Sequence, residues 1–318
     1  ATFMDWGATW LSNCIPMPDG TRRETLLRCA TLREQLQQSA YLGATVGRFT
    51  NRINQGVYEA DGQRIQLVCN DQENSLHGGP AGFSQRRWRI VEQSSQAVTF
   101  SLVSADGDQG FPGNLHVRAT YMLSDDHTVG VRFHAVTDSV TPVSLTNHAY
   151  FNLDEHHPCV LDHTLCIHAA DYIPVNARGI PSEPPAPVEG TPWDFRQTRC
   201  IRENVQRAHP PLEGYDHAFM LMPTGHAPAV TLTDSRAQVQ LAIHTDMPAL
   251  QVYTGNHLDQ EKYASHAYFA RHQGIALETA FPPDCPNQPH LPDCLLQPGA
   301  TYQSQTEFRF KVLPAASD

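Results

Sequence analysis

A period of two is the feature that most restricts what this chain can become. Between Thr128 and Val136, Val129, Val131, Phe133 and Ala135 fall on one side, and Arg132 and His134 on the other. That spacing suits a strand with one buried face, and no helix can satisfy it. The pattern returns near the end, where Thr306, Phe308, Phe310 and Val312 alternate with charged or polar residues. Ala97 to Ser104 and His116 to Ser124 are further strand candidates. Gly56 to Val68 reads as a hairpin turning at Asp61-Gly62, a pair that tolerates positive φ. Helical periodicity is confined to two short stretches, Thr31 to Ser39 and Ile201 to Ala208. The 24 prolines, scattered without a repeat, add turns rather than long helices. These signals predict an all-β chain, mostly antiparallel with few short helices, folded as one domain over residues 1–318.

Several function classes are disfavoured at once. Lys plus Arg number 22 against 33 Asp plus Glu, a net charge of −11, which argues against a nucleic-acid or anionic-membrane surface. No apolar run approaches the ~18–20 residues of a membrane span. The eight cysteines form no C-x-x-C pair and read as free thiols of a reducing compartment, so a cytoplasmic location is expected. Ala1-Thr2-Phe3-Met4 begins abruptly in strand-like residues, which suggests that residues precede it and leaves a signal peptide open. The glycine-rich stretches Asn74 to Phe83 and Asp106 to Asn114 lack the Lys-Ser/Thr and helix of a phosphate loop. Pro-rich Ile180 to Pro192 reads as an ordered surface crossing. His156, His157, His163 and His168 are the densest histidine group, but without zinc-site spacing they read as loop and strand residues, and no metal is expected.

The chemistry-bearing residues lie far apart in sequence. His148 sits in S-L-T-N-H-A-Y-F-N-L (144–153), between two asparagines and beside two aromatics. A histidine fixed in this way is a candidate proton donor or acceptor, although an isolated one is more often a satisfied core residue. Glu278 closes the apolar run Gly274 to Leu277, so partial burial should raise its pKa toward a general base's range, unless it lies on an exposed edge. Asn51, Arg52, His77, Asp216 and Gln251 occupy short polar clusters that one cleft could gather. Singly they also fit a surface ion pair, a turn cap or a backbone contact.

A resemblance joins them. G-R-F-T-N-R-I (47–53), N-S-L-H-G-G-P-A-G-F (74–83), D-G-D-Q-G-F-P-G-N (106–114), L-T-N-H-A-Y-F-N-L (145–153), D-Y-I-P-V (171–175), G-T-P-W-D-F (190–195), G-Y-D-H-A-F (214–219), Q-V-Y-T-G-N (251–256) and L-E-T…P-D…N-Q-P (277–289) follow one another as in aldose 1-epimerases, also called galactose mutarotases. The sequence resembles that family over nearly its whole length. The resemblance implies a β-supersandwich fold whose N-terminal strand or two would lie ahead of Ala1. It also implies interconversion of the α and β anomers of free aldohexoses, especially galactose and glucose, without metal or nucleotide. His148 matches the histidine that protonates the ring oxygen, and Glu278 the glutamate that deprotonates the C1 hydroxyl. Arg52 and His77 match residues holding the reacting end of the sugar, Asp216 one that binds ring hydroxyls, and Asn51 and Gln251 further sugar contacts. Ala280 is a departure, since relatives often carry a polar residue there.

The role types fit the chemistry: a carboxylate and an imidazolium on opposite sides of the ring can remove and supply protons together. Tyr150 or Phe151 could lie against an apolar sugar face, with Asn147 and Tyr150 as positioning groups. Two rivals are a hexose-6-phosphate 1-epimerase and a non-catalytic sugar-binding protein on the same fold. Neither a nucleic-acid nor a membrane partner is expected, and the chain is expected to be a monomer or weak homodimer.

Overall fold

The computed structural model describes residues 1–154, 159–209, 212–263 and 266–314. Among them, nine antiparallel strands form one large sheet. Their order is Arg89–Gln93, Ala97–Ser104, Leu115–Ser124, Thr128–Thr137, Tyr302–Val312, Val239–Thr245, Val230–Thr233, Thr164–Ile167 and Arg199–Cys200. The strands read from alternation fall where expected: Val129, Val131, Phe133 and Ala135 are buried, and Arg132 is exposed. Thr306, Phe308 and Phe310 are buried in the same way, and their strand joins the two halves of the sheet. The expected hairpin is present as Val57–Ala60 against Gln63–Gln66, with Asp61 and Gly62 both at positive φ.

Six strands make a second sheet, in the order Tyr150–Phe151, Ile275–Ala280, Ala249–Tyr253, Asp216–Leu221, Ala169–Tyr172 and Ala186–Pro187. One face of this sheet packs on the large sheet. Phe151 lies 5.5 Å from Phe308, and Trp10 lies 5.3 Å from Phe308, all three buried. Each such ring contributes roughly 1.5–3 kcal/mol relative to exposure. Leu250, Val252, Ile275 and Leu277 belong to the same core. A polar joint crosses it, with Thr279 Oγ1 2.6 Å from Thr306 Oγ1.

The helices expected from sequence are α1, Leu32–Gln37, and α2, Ile201–Arg207. In α1 the Thr31 hydroxyl accepts from the Glu34 N–H while the Glu34 side chain caps back, which fixes the start of this short element.

Candidate active site

The alternation that sends Leu277 into the core turns its neighbour Glu278 to the opposite face of the six-stranded sheet. Gln251 sits directly across from Glu278 in the ladder, and Ala218 across from Gln251. The next row brings Asp216, Tyr253, Ala276 and Tyr150 side by side. The sheet thus carries a polar floor whose order is set by register alone.

Glu278 is 2% exposed, and burial, with the Asp216 charge adding, pushes its pKa up to about 8; Arg52 opposes the shift. His148 is 4% exposed, and burial lowers its pKa to about 4. The His148 Nε2 and Glu278 Oε1 atoms are 3.5 Å apart. Burial favours the neutral carboxyl and the neutral imidazole, so the Glu278 proton is the one the pair can share. Glu278 Oε2 and His148 Nδ1 are buried and make no hydrogen bond within the protein.

His77 is held by a reciprocal exchange with Asn51. The Asn51 N–H donates to His77 Nδ1 at 3.1 Å, and the His77 N–H donates to the Asn51 carbonyl at 3.1 Å. With Nδ1 accepting, the ring proton is fixed on Nε2, making His77 a neutral donor. Burial, His148 and Arg52 all lower its pKa, which keeps it neutral. Both residues adopt left-handed backbone, φ +67 at Asn51 and +51 at His77. The adjacent Gly78, φ +84, is required for contact: a Cβ there would lie 2.0 Å from the Gly47 carbonyl oxygen.

Arg52 Nε donates to Asp71 at 2.7 Å, and its Nη1 lies 3.8 Å from Asp216. Gly179 lets the chain pass over the guanidinium, since a Cβ would lie 2.7 Å from Nη1. Gln251 Nε2 donates to Asp216 Oδ1 at 2.6 Å. The cleft, about 690 Å³ including its mouth open to solvent, is lined by Asn51, Arg52, His77, His148, Tyr150, Asp216 and Glu278, with Tyr41, Tyr253 and Glu261 among the rest of the wall.

A sequence model of the family described as Aldose 1-epimerase matches residues 1–309. The chain belongs to the aldose 1-epimerase family. It is 44% identical to the aldose 1-epimerase of Escherichia coli K12, over 97% of this chain and 91% of the relative. Human galactose mutarotase is 38% identical, over 97% and 90%. An aldose epimerase homologue from C. elegans superposes with a TM-score of 0.90 at 29% identity, over 99% of this chain and 96% of that one. Galactose 1-epimerase from Lactobacillus acidophilus gives 0.83 at 28%, over 98% and 90%. The expected fold and the isomerase class are both met.

For an epimerase read from sequence, the cleft gathers seven of the eight expected site residues in its wall. Gln251 stands behind it as the partner of Asp216. Phe151 is not near the sugar space but in the core against Trp10 and Phe308. Tyr41, Asp71, Tyr253 and Glu261 were not anticipated. Tyr253 was findable, because a step of two from Gln251 puts it on the same face of the sheet. Tyr41 and Asp71 lie in irregular chain with no such signal.

His77, His148 and Glu278 also offer ligand atoms within 4.8 Å of one another, a spacing a metal ion could use. The epimerase site does not fit one well. His77 Nδ1 is occupied by the Asn51 N–H, so the other ring nitrogen presents a proton instead of a lone pair. Of the histidine cluster read from sequence, His156 and His157 lie outside the described residues. His163 is buried and accepts from the Leu153 N–H, and His168 is exposed. Arg86 and Arg87 are paired with Asp108 and Asp5, outside the cleft wall.

Proposed function

We propose that the chain interconverts the α and β anomers of free aldohexoses, galactose and glucose among them, with His148 and Glu278 moving the protons. The observation that carries this reading is the buried His148–Glu278 pair, 3.5 Å apart and so placed to pass a proton between them. Such a separation leaves no room for a pyranose ring between the two groups. It suits two oxygens bonded to one carbon, so the acid and base address O1 and the ring oxygen of C1 together.

A bound sugar offers hydroxyls to Glu278 Oε2, which, with Arg52, favours the carboxylate and shifts the shared proton to His148 Nε2. Glu278 then takes the O1–H proton, the C1–O1 bond gains its second electron pair, and the C1–ring-oxygen bond breaks. His148 protonates the leaving ring oxygen. Rotation about C1–C2 presents the other carbonyl face, and reclosure returns each proton by the reverse path. His77 Nε2–H donates to a sugar oxygen near C1. Asp216, held by Gln251, accepts from ring hydroxyls, and Asn51 orients His77 and Arg52. Tyr150 offers its ring to the sugar's apolar face.

Charge favours the free sugar over a hexose 6-phosphate. Arg52 is the cation among the described residues lining the cleft. It already faces Asp71 and Asp216, and Glu261 adds negative charge at the rim. A complete acid–base pair also favours catalysis over sugar binding alone. Polarimetry of freshly dissolved α-galactose and α-glucose, with wild type, Glu278→Gln and His148→Asn, tests the reading. Near-wild-type decay of rotation in either variant overturns the assignment, and stronger competition by glucose 6-phosphate than by glucose overturns the free-sugar specificity.

A further inference from the structure

Tyr41 belongs to no motif that drew notice in the sequence, yet the fold works against conformational preference to place it. Its backbone lies at φ +60, a region that bulky residues avoid. The turn is enforced from both sides. The Ala44 N–H donates to the Tyr41 carbonyl at 2.9 Å, and the Gly43 N–H donates to the His148 carbonyl at 2.9 Å. The His148 N–H returns to the Ala44 carbonyl at 2.8 Å, while the Asn147 side-chain amide donates to the Gly43 carbonyl at 2.6 Å. The segment is thus stitched to the backbone of His148 itself. Its phenol ring lands 4.6 Å edge-on to His77 and 5.7 Å from His148 at an interplanar angle of 26°.

A buried histidine that handles protons usually has its second ring nitrogen tied to a carbonyl or carboxylate, which sets the ring's direction. His148 lacks a tie to any neighbouring residue at Nδ1, where only its own backbone carbonyl is near. Ring packing is what remains to aim it. Tyr150 supplies one contact, at 4.9 Å and 34°, His77 an edge at 5.3 Å and 76°, and Tyr41 the near-parallel one.

We infer that Tyr41 is a positioning residue for the reaction: its ring, with that of Tyr150, aims the His148 imidazole at Glu278 and keeps water from it. The inference rests on the reading of His148 as the proton donor. The groups facing His148 are Glu278 from the Ile275–Ala280 strand, His77 from the 74–83 loop, Tyr150 beside it, and Tyr41. Tyr41 is neutral at working pH, its own pKa being pushed up to about 12 by burial, so removing it alters solvation and aim but adds no charge.

The test compares full-length Tyr41→Gly, Tyr41→Phe and His148→Asn by polarimetry across pH, with thermal melts. Glycine accepts the left-handed backbone, so Tyr41→Gly removes the ring without new backbone strain, and the melt is used to confirm that the variant is folded at the assay temperature. Its kcat should nevertheless fall by about tenfold to a hundredfold, more than KM changes. The acid limb of its kcat/KM profile should rise by about one pH unit as water reaches the imidazole. Tyr41→Phe keeps the ring and should stay within about threefold of wild type, with its limb unmoved. Wild-type kcat and an unmoved limb in Tyr41→Gly overturn the inference. So does a loss in Tyr41→Phe as deep as in Tyr41→Gly, because it transfers the effect to the hydroxyl. A fully active His148→Asn is a separate result that removes the proton donor itself.

Discussion

Leu277 and Glu278 are consecutive on one strand and almost equally buried, at 1% and 2% exposure, yet they do opposite work. Leu277 points into the apolar core shared by the two sheets, where burial stabilises. Glu278 points into the cleft, where the same burial penalises its charge and leaves one oxygen without a protein partner. One strand therefore contributes to stability through one face and gives some of it up through the other. The proposed base is placed where the backbone is already over-determined, by ladders on both sides of Ile275–Ala280.

That contrast can be broken by exchanging effects between the faces. Glu278→Gln is expected to lower kcat by about 10²–10⁴-fold with the fold intact, measured by polarimetry on protein of unchanged far-UV circular dichroism. Leu277→Ala should do the reverse, costing about 2–5 kcal/mol in denaturant unfolding while turnover per folded molecule stays near wild type. Loss of turnover in a Leu277→Ala protein of unchanged stability would show that the two faces are not separable.

The carboxyl also makes a stability prediction whose sign follows from its shift. Its folded pKa, about 8, lies above the usual 4.5, so wild-type stability is full below pH 4.5 and declines as pH rises toward 8. An amide does not share the decline. Glu278→Gln should be more stable than wild type at pH 7 by on the order of 3 kcal/mol, and equal to it at pH 4. Calorimetry at the two pH values decides this, and a variant no more stable at pH 7 would mean that the carboxylate is not strained there.

In wild type the shared proton should give a plateau of kcat/KM flanked by limbs near pH 4 and pH 8. Below the lower limb both groups are protonated and no base remains; above the upper one neither holds a proton and no acid remains. A single limb near 6.5 would separate the two groups. The smallest effect is expected one step behind the wall. Gln251→Ala frees Asp216 and should reduce kcat/KM by about tenfold, mostly through KM, as loss of one charge-assisted hydrogen bond does.

Local order was legible in the sequence wherever one residue decided its own neighbourhood. The strands at 97–104 and 128–137, the Asp61-Gly62 hairpin and the two short helices all follow from periodicity or turn chemistry. The residues that line the cleft were picked out because they sit in long motifs, and the burial of Glu278 because an apolar run announced it. What escaped was set by long-range pairing. Nothing near Gln251 indicates that Asp216 will claim its amide, and nothing near Asp71 indicates Arg52. The desolvation of His148 is set in the same way, by rings contributed by Tyr41, Tyr150 and His77.

The strand Tyr302–Val312 follows every other strand in the sequence but lies in the middle of the large sheet, between Thr128–Thr137 and Val239–Thr245. During synthesis the two halves of that sheet must therefore wait, each with an unpaired inner edge, for a keystone that leaves the ribosome after both of them. A nascent chain halted before Tyr302 is two open sheets inviting strangers, not a slightly shorter catalyst. Such truncations should collect in the insoluble fraction, and a soluble, protease-resistant product ending before Tyr302 would show that the halves can close without it.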